Sequence, residues 1–513
     1  MAVTLGGMTL LTTNDAGTGW AGTDGIDTYG FSIQGANSES WQLSKNATET
    51  GTLTASAAMP AVRGLYTVWM ASSIQAIYTS IDLALQSSAG NSRSYSIATT
   101  TVQAVDGAFK AFAFDYVSKG TPTGTFAPAS LTSSIFTIVT QNINFRAIPN
   151  NWIDTIHYGA GHTIAGTTVS DKVFTEAASA DIAGDFYYGI LENFSGVIFS
   201  QGDIDLTGTA LVSNGETLVF KDTANGYDTY NFDVTGTATF TNTSIVNSGA
   251  IDFIFDSSGA TAFTMTGGSL VGYSSLVTGA SQTISEVVFQ AGGDGTIANT
   301  ISSSNFNICG QQTLTTGSLS NCTINKSTAT SAVVCSALAN VVTSEFISSG
   351  TGHAIELTSI GGGSMTWDSI TTGYTAGATG SPVTPTSTGN ESLYVNVASG
   401  TLTINVDGGT VPSIRSAGAT INVVAGLATL TLTGLITGSD IIINTSGTNT
   451  PLADINQNAG SSYGYSYTYV PSTFVDIKIM LAGYLPYQVY GLELTDSTIA
   501  KLPIAQAIDR TYV

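Results

Sequence analysis

Only 9% of the 513 residues are charged, against about a quarter in an ordinary soluble domain. With 13 Lys and Arg in all, the chain cannot assemble a basic patch for nucleic acid, heparin or an anionic membrane surface. Low charge combined with 42% hydrophobic residues excludes a disordered chain. Ser, Thr, Asn and 57 Gly replace the missing charge, so the composition favours β-structure with a hydroxylated surface, typical of a structural or adhesive protein.

Residues 1–160 carry large apolar side chains at every second position, as at Tyr66, Val68 and Met70. This period of two, interrupted by turn residues, is typical of antiparallel sheets that cover a common core. The segment therefore predicts a β-sandwich of the jelly-roll, lectin-like kind.

Residues 161–190 are predicted to be a linker with a short capping helix. Within them, residues 174–187 are rich in Ala and have acidic side chains near the start, which suits a helix. Such a cap would cover the open edge of the β-structure that follows.

From about residue 190 the sequence becomes a loose repeat of short strand-like pieces separated by Gly, Ser and Asn. One apolar anchor from each piece gives the series Ile245, Leu270, Phe289, Phe306, Ile324, Ile347 and Trp367. These anchors are 25, 19, 17, 18, 23 and 20 residues apart, which predicts a right-handed parallel β-helix over residues 191–385. The three cysteines, Cys309, Cys322 and Cys335, fall in this region and are expected to be buried thiols.

Residues 381–390 are rich in Pro, Thr and Ser and predict a hinge. Beyond it, residues 391–513 alternate again and predict a C-terminal β-sandwich of immunoglobulin-like or transthyretin-like kind. An uncharged stretch within this region alternates strictly over residues 429–433, which indicates a strand and not a membrane-spanning helix. The predicted fold class is all-β throughout.

The sequence contains few signs of a catalytic motif. The three histidines stand in no standard zinc spacing, and no phosphate-binding or dinucleotide-binding loop is found. We predict no metal and no cofactor, and the residues favour a non-enzymatic protein.

Carboxylates of the repeat region are the candidates for catalysis, because polysaccharide cleavage needs two acidic groups. They are Asp252, Asp256, Glu286 and Asp368. Asp252 and Asp256 are four residues apart on a predicted strand and point to the same face. The alternative, which we favour, is that these side chains simply decorate the outer face of the repeat.

Three alternating tyrosines, Tyr463, Tyr465 and Tyr467, are the candidates for glycan binding, since tyrosine rings stack on sugar faces. The alternative is that they form the buried face of one strand.

The N-terminus lacks the basic start and long apolar core of a signal peptide, and the odd number of cysteines fits assembly in a reducing cytosol. We therefore expect that the protein does not leave the cell by general secretion.

The order of segments resembles structural proteins of tailed bacteriophages. The resemblance is carried by FSIQGANSESWQLSKNATETG, NNWIDTIHYG, FTEAASADIAGDFYYGILENFSGVIFSQGDIDL, the Ser/Thr/Gly repeat and the C-terminal ATLTLTGLITGSDIIINTSG and YSYTYVPSTFVDIKIMLAGYLPY. It implies a virion protein, such as a tail fibre, tailspike or capsid-attached fibre, assembled in the host cytoplasm. It carries over no functional residues.

Because a single β-helix has open ends and long faces, we expect a homotrimer that also contacts other virion proteins and host-surface glycans, without membrane insertion. The leading hypothesis is a fibre or decoration protein for host adhesion or particle architecture. The alternative is a tailspike depolymerase with carboxylates on the β-helix. A third class, a cell-surface adhesin, is disfavoured by the missing export signal.

Overall fold

The computed structural model describes residues 3–14, 19–22, 27–29, 38–42, 46–72, 78–97, 109–142, 150–168, 173–174, 186–326, 330–348, 350–375, 390–407, 410–425, 427–468, 473–494 and 501–508. Helical structure in these ranges is confined to the 3-10 turns Pro128–Ser130 and Leu338–Asn340 and to residues 173–174. The predicted all-β class is confirmed. Most of the predicted capping helix, residues 174–187, lies outside the described residues.

The chain divides into two compact units, residues 1–293 and residues 294–513. We call them the N-terminal unit and the C-terminal unit. The division falls inside the region predicted as one β-helix.

The N-terminal unit begins with two antiparallel sheets. One contains Trp20–Gly22, Thr48–Ala57, Tyr78–Ser88, Asn91–Ile97, Thr121–Thr123 and Leu131–Thr140; the other contains Thr4–Thr12, Asp27–Tyr29, Ser38–Gln42, Leu65–Ser72, Lys110–Asp115 and Asn150–Ala165. Their alternating apolar side chains bury a common core, to which Val68 and Phe114 contribute from one sheet and Ile81 and Phe136 from the other. The Tyr66 hydroxyl crosses this core and donates to Ser134 Oγ at 2.7 Å.

The end of strand Asn150–Ala165 pairs in parallel with Asp203–Leu206 and so leads into a series of coils. Each coil contributes short strands to three parallel ladders, which we number I to III in chain order starting from the strand Asp203–Leu206. Ladder I contains Asp203–Leu206, Thr229–Val234, Asp252–Asp256 and Ser275–Val277; ladder II contains Leu211–Asn214, Thr237–Thr241, Ala262–Thr266 and Gln282–Ser285; ladder III contains Val197–Ser200, Thr217–Phe220, Ser244–Asn247, Ser269–Val271 and Val288–Gln290. Ladder III is extended by the antiparallel strands Phe186–Tyr188 and Leu191–Phe194.

Alternation within each short strand decides which side chains face inward. In Thr229–Val234 the buried residues are Tyr230, Phe232 and Val234, while the residues between them are half-buried on the outside. Inward residues of successive coils stack, and the rings of Phe232 and Phe255 lie 5.3 Å apart at 14°. Buried stacks of this kind stabilise the coils, because each aromatic ring removes a large apolar area from water.

The corner between ladders II and III has a left-handed residue in successive coils. Asn242, Gly267 and Glu286 occupy it with φ of 51°, 68° and 60°. Asn and Gly adopt this conformation readily, which explains their place at the corners of the repeat.

The predicted anchors are largely placed as a stacked row. Ile245 pairs with Leu270, and Leu270 pairs with Phe289, all in ladder III. In the C-terminal unit, Phe306 pairs with Ile324.

Two anchors lie elsewhere than expected. Ile324 pairs with the buried Phe346 and not with Ile347, which is one residue out of phase. Trp367 belongs to a different ladder, since its strand Ser364–Trp367 pairs with Thr401–Val406. Corners of variable length shift the phase of the repeat and account for both errors.

The C-terminal unit also contains parallel ladders. Ladder I contains Asp294–Ile297, Gln312–Leu314, Val333–Cys335, Ile355–Leu357, Leu393–Val395 and Ile414–Ser416; ladder II contains Thr300–Ser302, Ser318–Ser320 and Val341–Val342; ladder III contains Asn305–Asn307, Thr323–Lys326, Glu345–Ser348 and Ile370–Thr372; a further ladder contains Ser364–Trp367, Thr401–Val406 and Thr420–Ala425. Cys309, Cys322 and Cys335 are buried and form no disulfide, and burial raises the pKa of Cys335 to about 12.

Two sheets that are mainly antiparallel follow. One contains Leu427–Thr433, Ser462–Thr468 and Lys501–Pro503, and in it Lys501–Pro503 pairs in parallel with Leu427–Thr433. The other contains Asp440–Thr445, Pro451–Ile455, Phe474–Met480 and Tyr487–Glu493. Leu430 and Leu432 of the first sheet pack with Ile441, Ile443 and Ile477 of the second. The parallel ladders reach residue 425, so these sheets begin later than the predicted residue 391; the hinge residues 381–389 lie outside the described residues.

Candidate functional site

An acidic row crosses the outer face of ladder I in the N-terminal unit. Asp205 pairs with Asp233, and Asp233 pairs with Asp256, so three carboxylates stack on successive coils. Adjacent strands are about 4.8 Å apart, which places like charges close together. Burial, followed by repulsion from Asp256 and Asp205, raises the pKa of Asp233 to about 6.

Beside this row, Arg63 neutralises a fourth carboxylate. Its Nε and Nη2 donate to the two oxygens of Asp203 at 2.5 and 2.9 Å, and Nη2 also donates to the Thr229 carbonyl at 2.6 Å. The guanidinium lies 3.8 Å above the ring centre of Tyr227. This bidentate geometry fixes the arginine and links the sandwich to the coils.

A polar pocket of about 430 Å³ opens next to these residues. It is lined by Lys119, Asp222, Thr223, Ala224, Tyr227, Asp228, Ala250, Ile251 and Asp252. Lys119 forms an ion pair with Asp228 across one side of the pocket. The lining therefore includes three aspartates, one lysine and the hydroxyl-bearing side chains of Thr223 and Tyr227.

The predicted catalytic carboxylates are not brought together. Asp252 and Asp256 share the outer face of one strand, as expected, but Asp252 lines the pocket and Asp256 joins the acidic row. Glu286 is exposed at a left-handed corner after ladder II. Asp368 belongs to the C-terminal unit, where its Oδ2 accepts from Thr343 N at 3.0 Å and burial raises its pKa.

The three predicted glycan-binding tyrosines pack on the apolar core between the two C-terminal sheets. Tyr467 is buried, and its ring is stacked 5.7 Å from that of Tyr465. Tyr463 and Tyr465 are half-buried against the same apolar cluster. This placement fits the alternative of a buried strand face, and a role in glycan binding stays a prediction.

The sequence reasoning missed Asp205, Asp233 and Arg63. The two aspartates are separated by 28 residues, and Asp233 and Asp256 by 23, so a search within one strand could not pair them. Alignment of the coils on their buried aromatic residues would have found the row. No local signal connects Arg63 to Asp203, 140 residues away.

Ladder II presents a different outer face in the same unit. Its outward positions form a row of threonines, Thr239, Thr264 and Thr283, paired from coil to coil. A second row contains Thr241, Thr266 and Ser285. The face is thus a regular array of hydroxyl and methyl groups without charge.

Across the part of the chain that the structure describes, no three His, Cys, Asp or Glu side chains are grouped as a metal site. Helices capable of crossing a bilayer are likewise not found among the described residues.

No protein-family model matches the sequence, and no curated protein matches it. Solved structures that it resembles include the module TmCBM61 in complex with β-1,4-galactotriose, at 13% identity and a TM-score of 0.21, over 30% of this chain and 99% of that one. Another is the family 11 carbohydrate-binding module from Clostridium thermocellum in complex with a mixed-linked tetrasaccharide, at 14% identity and a TM-score of 0.22, over 30% and 96% of the two chains. TM-scores this low carry no inference about the present chain.

Proposed function

We propose that the chain is a structural virion protein of a tailed phage, a fibre or decoration protein that serves host-surface adhesion or particle architecture. The observation that carries the proposal is the outer face of ladder II in the N-terminal unit, where hydroxyl rows replace charged side chains, together with the aromatic stacks that fill the interior of the coils. Such a surface has few flexible charged side chains for proteases to engage, which suits a durable extracellular scaffold.

The proposal includes a specific architecture. The parallel ladders would be the faces of a right-handed β-helix, the first two sheets a jelly roll, and the last two an immunoglobulin-like or transthyretin-like sandwich. Three copies would associate along their coils, because a repeat of this kind leaves long faces available for packing. Partners would be other virion proteins and host-surface glycans.

Immunogold labelling of purified particles with an antibody against the chain tests the main proposal. We expect label on the tail or at regular capsid positions, and a homotrimer by analytical ultracentrifugation. Particles without label, together with the gene among cellular operons, would instead identify a cell-surface adhesin.

The second candidate function is a depolymerase, favoured by the acidic row. Asp233 would be the protonated general acid, since its pKa is raised to about 6, and a neighbouring carboxylate would be the nucleophile. Retaining glycosidases hold their two carboxyl groups about 5 Å apart, similar to the distance between neighbouring coils.

Release of reducing ends from host capsule or lipopolysaccharide tests this candidate. Asp233→Asn is expected to lower the rate by at least about 100-fold, as for the loss of a general acid. Glu286→Gln, which removes an exposed carboxylate from a corner of the same unit, is the matched control and should leave the rate unchanged. No release by the unmodified protein rules the depolymerase out.

A further inference from the structure

The outer face of ladder I in the C-terminal unit carries a row quite unlike the acidic one. Glu356 pairs with Tyr394, and Tyr394 pairs with Arg415, on three successive strands. All three residues are half-buried, so part of each remains in contact with solvent. The row brings a carboxylate, a phenol and a guanidinium together in a chain that has few cations.

Arg415 is held in place by aromatic neighbours. Its guanidinium carbon lies 4.7 Å from the ring centre of Tyr394, and its Nη1 lies 3.5 Å from Nε2 of His353. The imidazole is itself fixed, because Nδ1 donates to the Glu391 carbonyl at 2.8 Å and the ring lies 5.1 Å from that of Tyr394. In the tautomer whose N–H is on Nδ1, Nε2 is the acceptor that faces the arginine.

Arg415 has no carboxylate partner within 4.0 Å among the described residues, whereas Arg63, Lys119 and Lys221 each pair with one. The carboxylate of its own row, Glu356, is already engaged: Ser331 Oγ donates to Oε2 at 3.0 Å and Asn396 Nδ2 to Oε1 at 2.8 Å. A fixed guanidinium without an internal anion retains N–H donors for an external one.

We propose that Arg415, supported by Tyr394 and His353, binds a carboxylate group of an acidic polysaccharide. The planar guanidinium matches a carboxylate with two parallel hydrogen bonds. Asn396, which is exposed, and the Tyr394 hydroxyl lie 3.2 Å apart beside it and provide donors and acceptors for sugar hydroxyls. The inference rests on the proposed adhesive function and names its ligand class, a hexuronate-containing glycan.

Binding of the full chain to immobilised polyglucuronate, compared with neutral dextran and dextran sulfate, tests the inference. We expect binding to polyglucuronate that weakens with salt, competition by free glucuronate and not by glucose, and little binding to dextran. Arg415→Gln should weaken binding at least about tenfold, because hydrogen bonds to a charged group are the strong ones. Arg415→Lys keeps the positive charge but loses the two parallel N–H donors of the guanidinium. Its affinity should therefore lie between that of the unmodified chain and that of Arg415→Gln.

Lys478→Gln is the matched control, since it removes the same charge from an exposed position on strand Phe474–Met480. Its affinity should equal that of the unmodified chain. Equal losses in the Arg415→Gln and Lys478→Gln variants, or binding to dextran sulfate alone, would overturn the inference. If Arg415→Gln does not fold, the competition by glucuronate and the Arg415→Lys variant decide the question. If immunogold labels the particles but the chain does not bind polyglucuronate, this ligand is rejected and the proposed virion role is retained.

Discussion

Two buried histidines make the stability of the N-terminal unit dependent on pH. His157 and His162 lie on strand Asn150–Ala165, at 0% and 1% exposure. The His157 ring meets Tyr188 edge-on at 4.6 Å, and His162 Nε2 lies 3.2 Å from the Tyr188 carbonyl. Burial, with a smaller contribution from His162, lowers the pKa of His157 to about 3, and burial lowers that of His162 to about 4.

The sign of the effect follows from proton linkage. In the unfolded chain both imidazoles have a pKa near 6.5. Below that pH they bind protons in the unfolded state, while the buried imidazoles of the folded state remain unprotonated. Stability is therefore full above about pH 6.5 and falls as the pH decreases towards the folded pKa values. At about pH 5 the difference is roughly 1.5 pH units, or about 2 kcal/mol for each imidazole.

Urea unfolding of His157→Phe and the unmodified chain at about pH 7.5 and about pH 5 measures this loss. Tryptophan fluorescence reports on the right region, since four of the five tryptophans lie before residue 160. Between the two pH values, the unmodified chain should lose about 2 kcal/mol more than the variant. The neighbouring Ile156→Ala, which removes a buried apolar side chain, should be destabilised equally at both. Parallel losses in the unmodified chain and His157→Phe would refute the reasoning.

Three further predictions concern the coils of the N-terminal unit. Phe232→Ala removes a fully buried ring from the interior stack and should lower the free energy of unfolding by about 3–5 kcal/mol. Thr239→Ala on the outer face should change it by about 0.5 kcal/mol or less. Equal effects of the two substitutions in urea unfolding would contradict the assignment of Phe232 to the interior and Thr239 to the outer face. Asp233→Asn should raise the urea midpoint of unfolding at about pH 7.5 and not at about pH 4, because a raised carboxyl pKa means that the ionised form is disfavoured in the folded state. An unchanged midpoint at about pH 7.5 would argue against repulsion within the acidic row. Gly268→Ala should lower the free energy of unfolding by more than about 1 kcal/mol, because φ of Gly268 is 77° and a Cβ there would collide with the Thr243 carbonyl oxygen. An unchanged free energy of unfolding would show that the backbone at this corner can relax.

The period-two alternation was sufficient to predict the all-β class and most inward anchors. Ile245, Leu270 and Phe289 stack in one ladder because each is the central apolar residue of a short strand. The alternation cannot state which coils lie opposite one another when corner lengths vary. Trp367 illustrates this: it is buried and follows the repeat, yet its strand pairs in another ladder.

The candidate sites were harder to predict, because both depend on pairing between distant segments. Asp205, Asp233 and Asp256 become neighbours only when coils of unequal length are stacked in register. Likewise, Tyr394 and Arg415 lie 21 residues apart in the sequence and acquire significance through their parallel pairing. Alternation within one strand identifies an outward position but not its neighbours in the stack.

Parallel stacking offers a physical reason for the low charge of the chain. Paired outward residues of successive coils lie about 4.8 Å apart. A charged residue that recurs from coil to coil is therefore repelled by the like charge of its neighbour, which destabilises the ladder. Threonine rows such as Thr239, Thr264 and Thr283 avoid that repulsion and still fit a strand. The acidic row is an exception to this rule, and the raised pKa of Asp233 is the electrostatic consequence. Charge that persists on such a ladder despite this repulsion is therefore a better guide to function than charge on an ordinary protein surface.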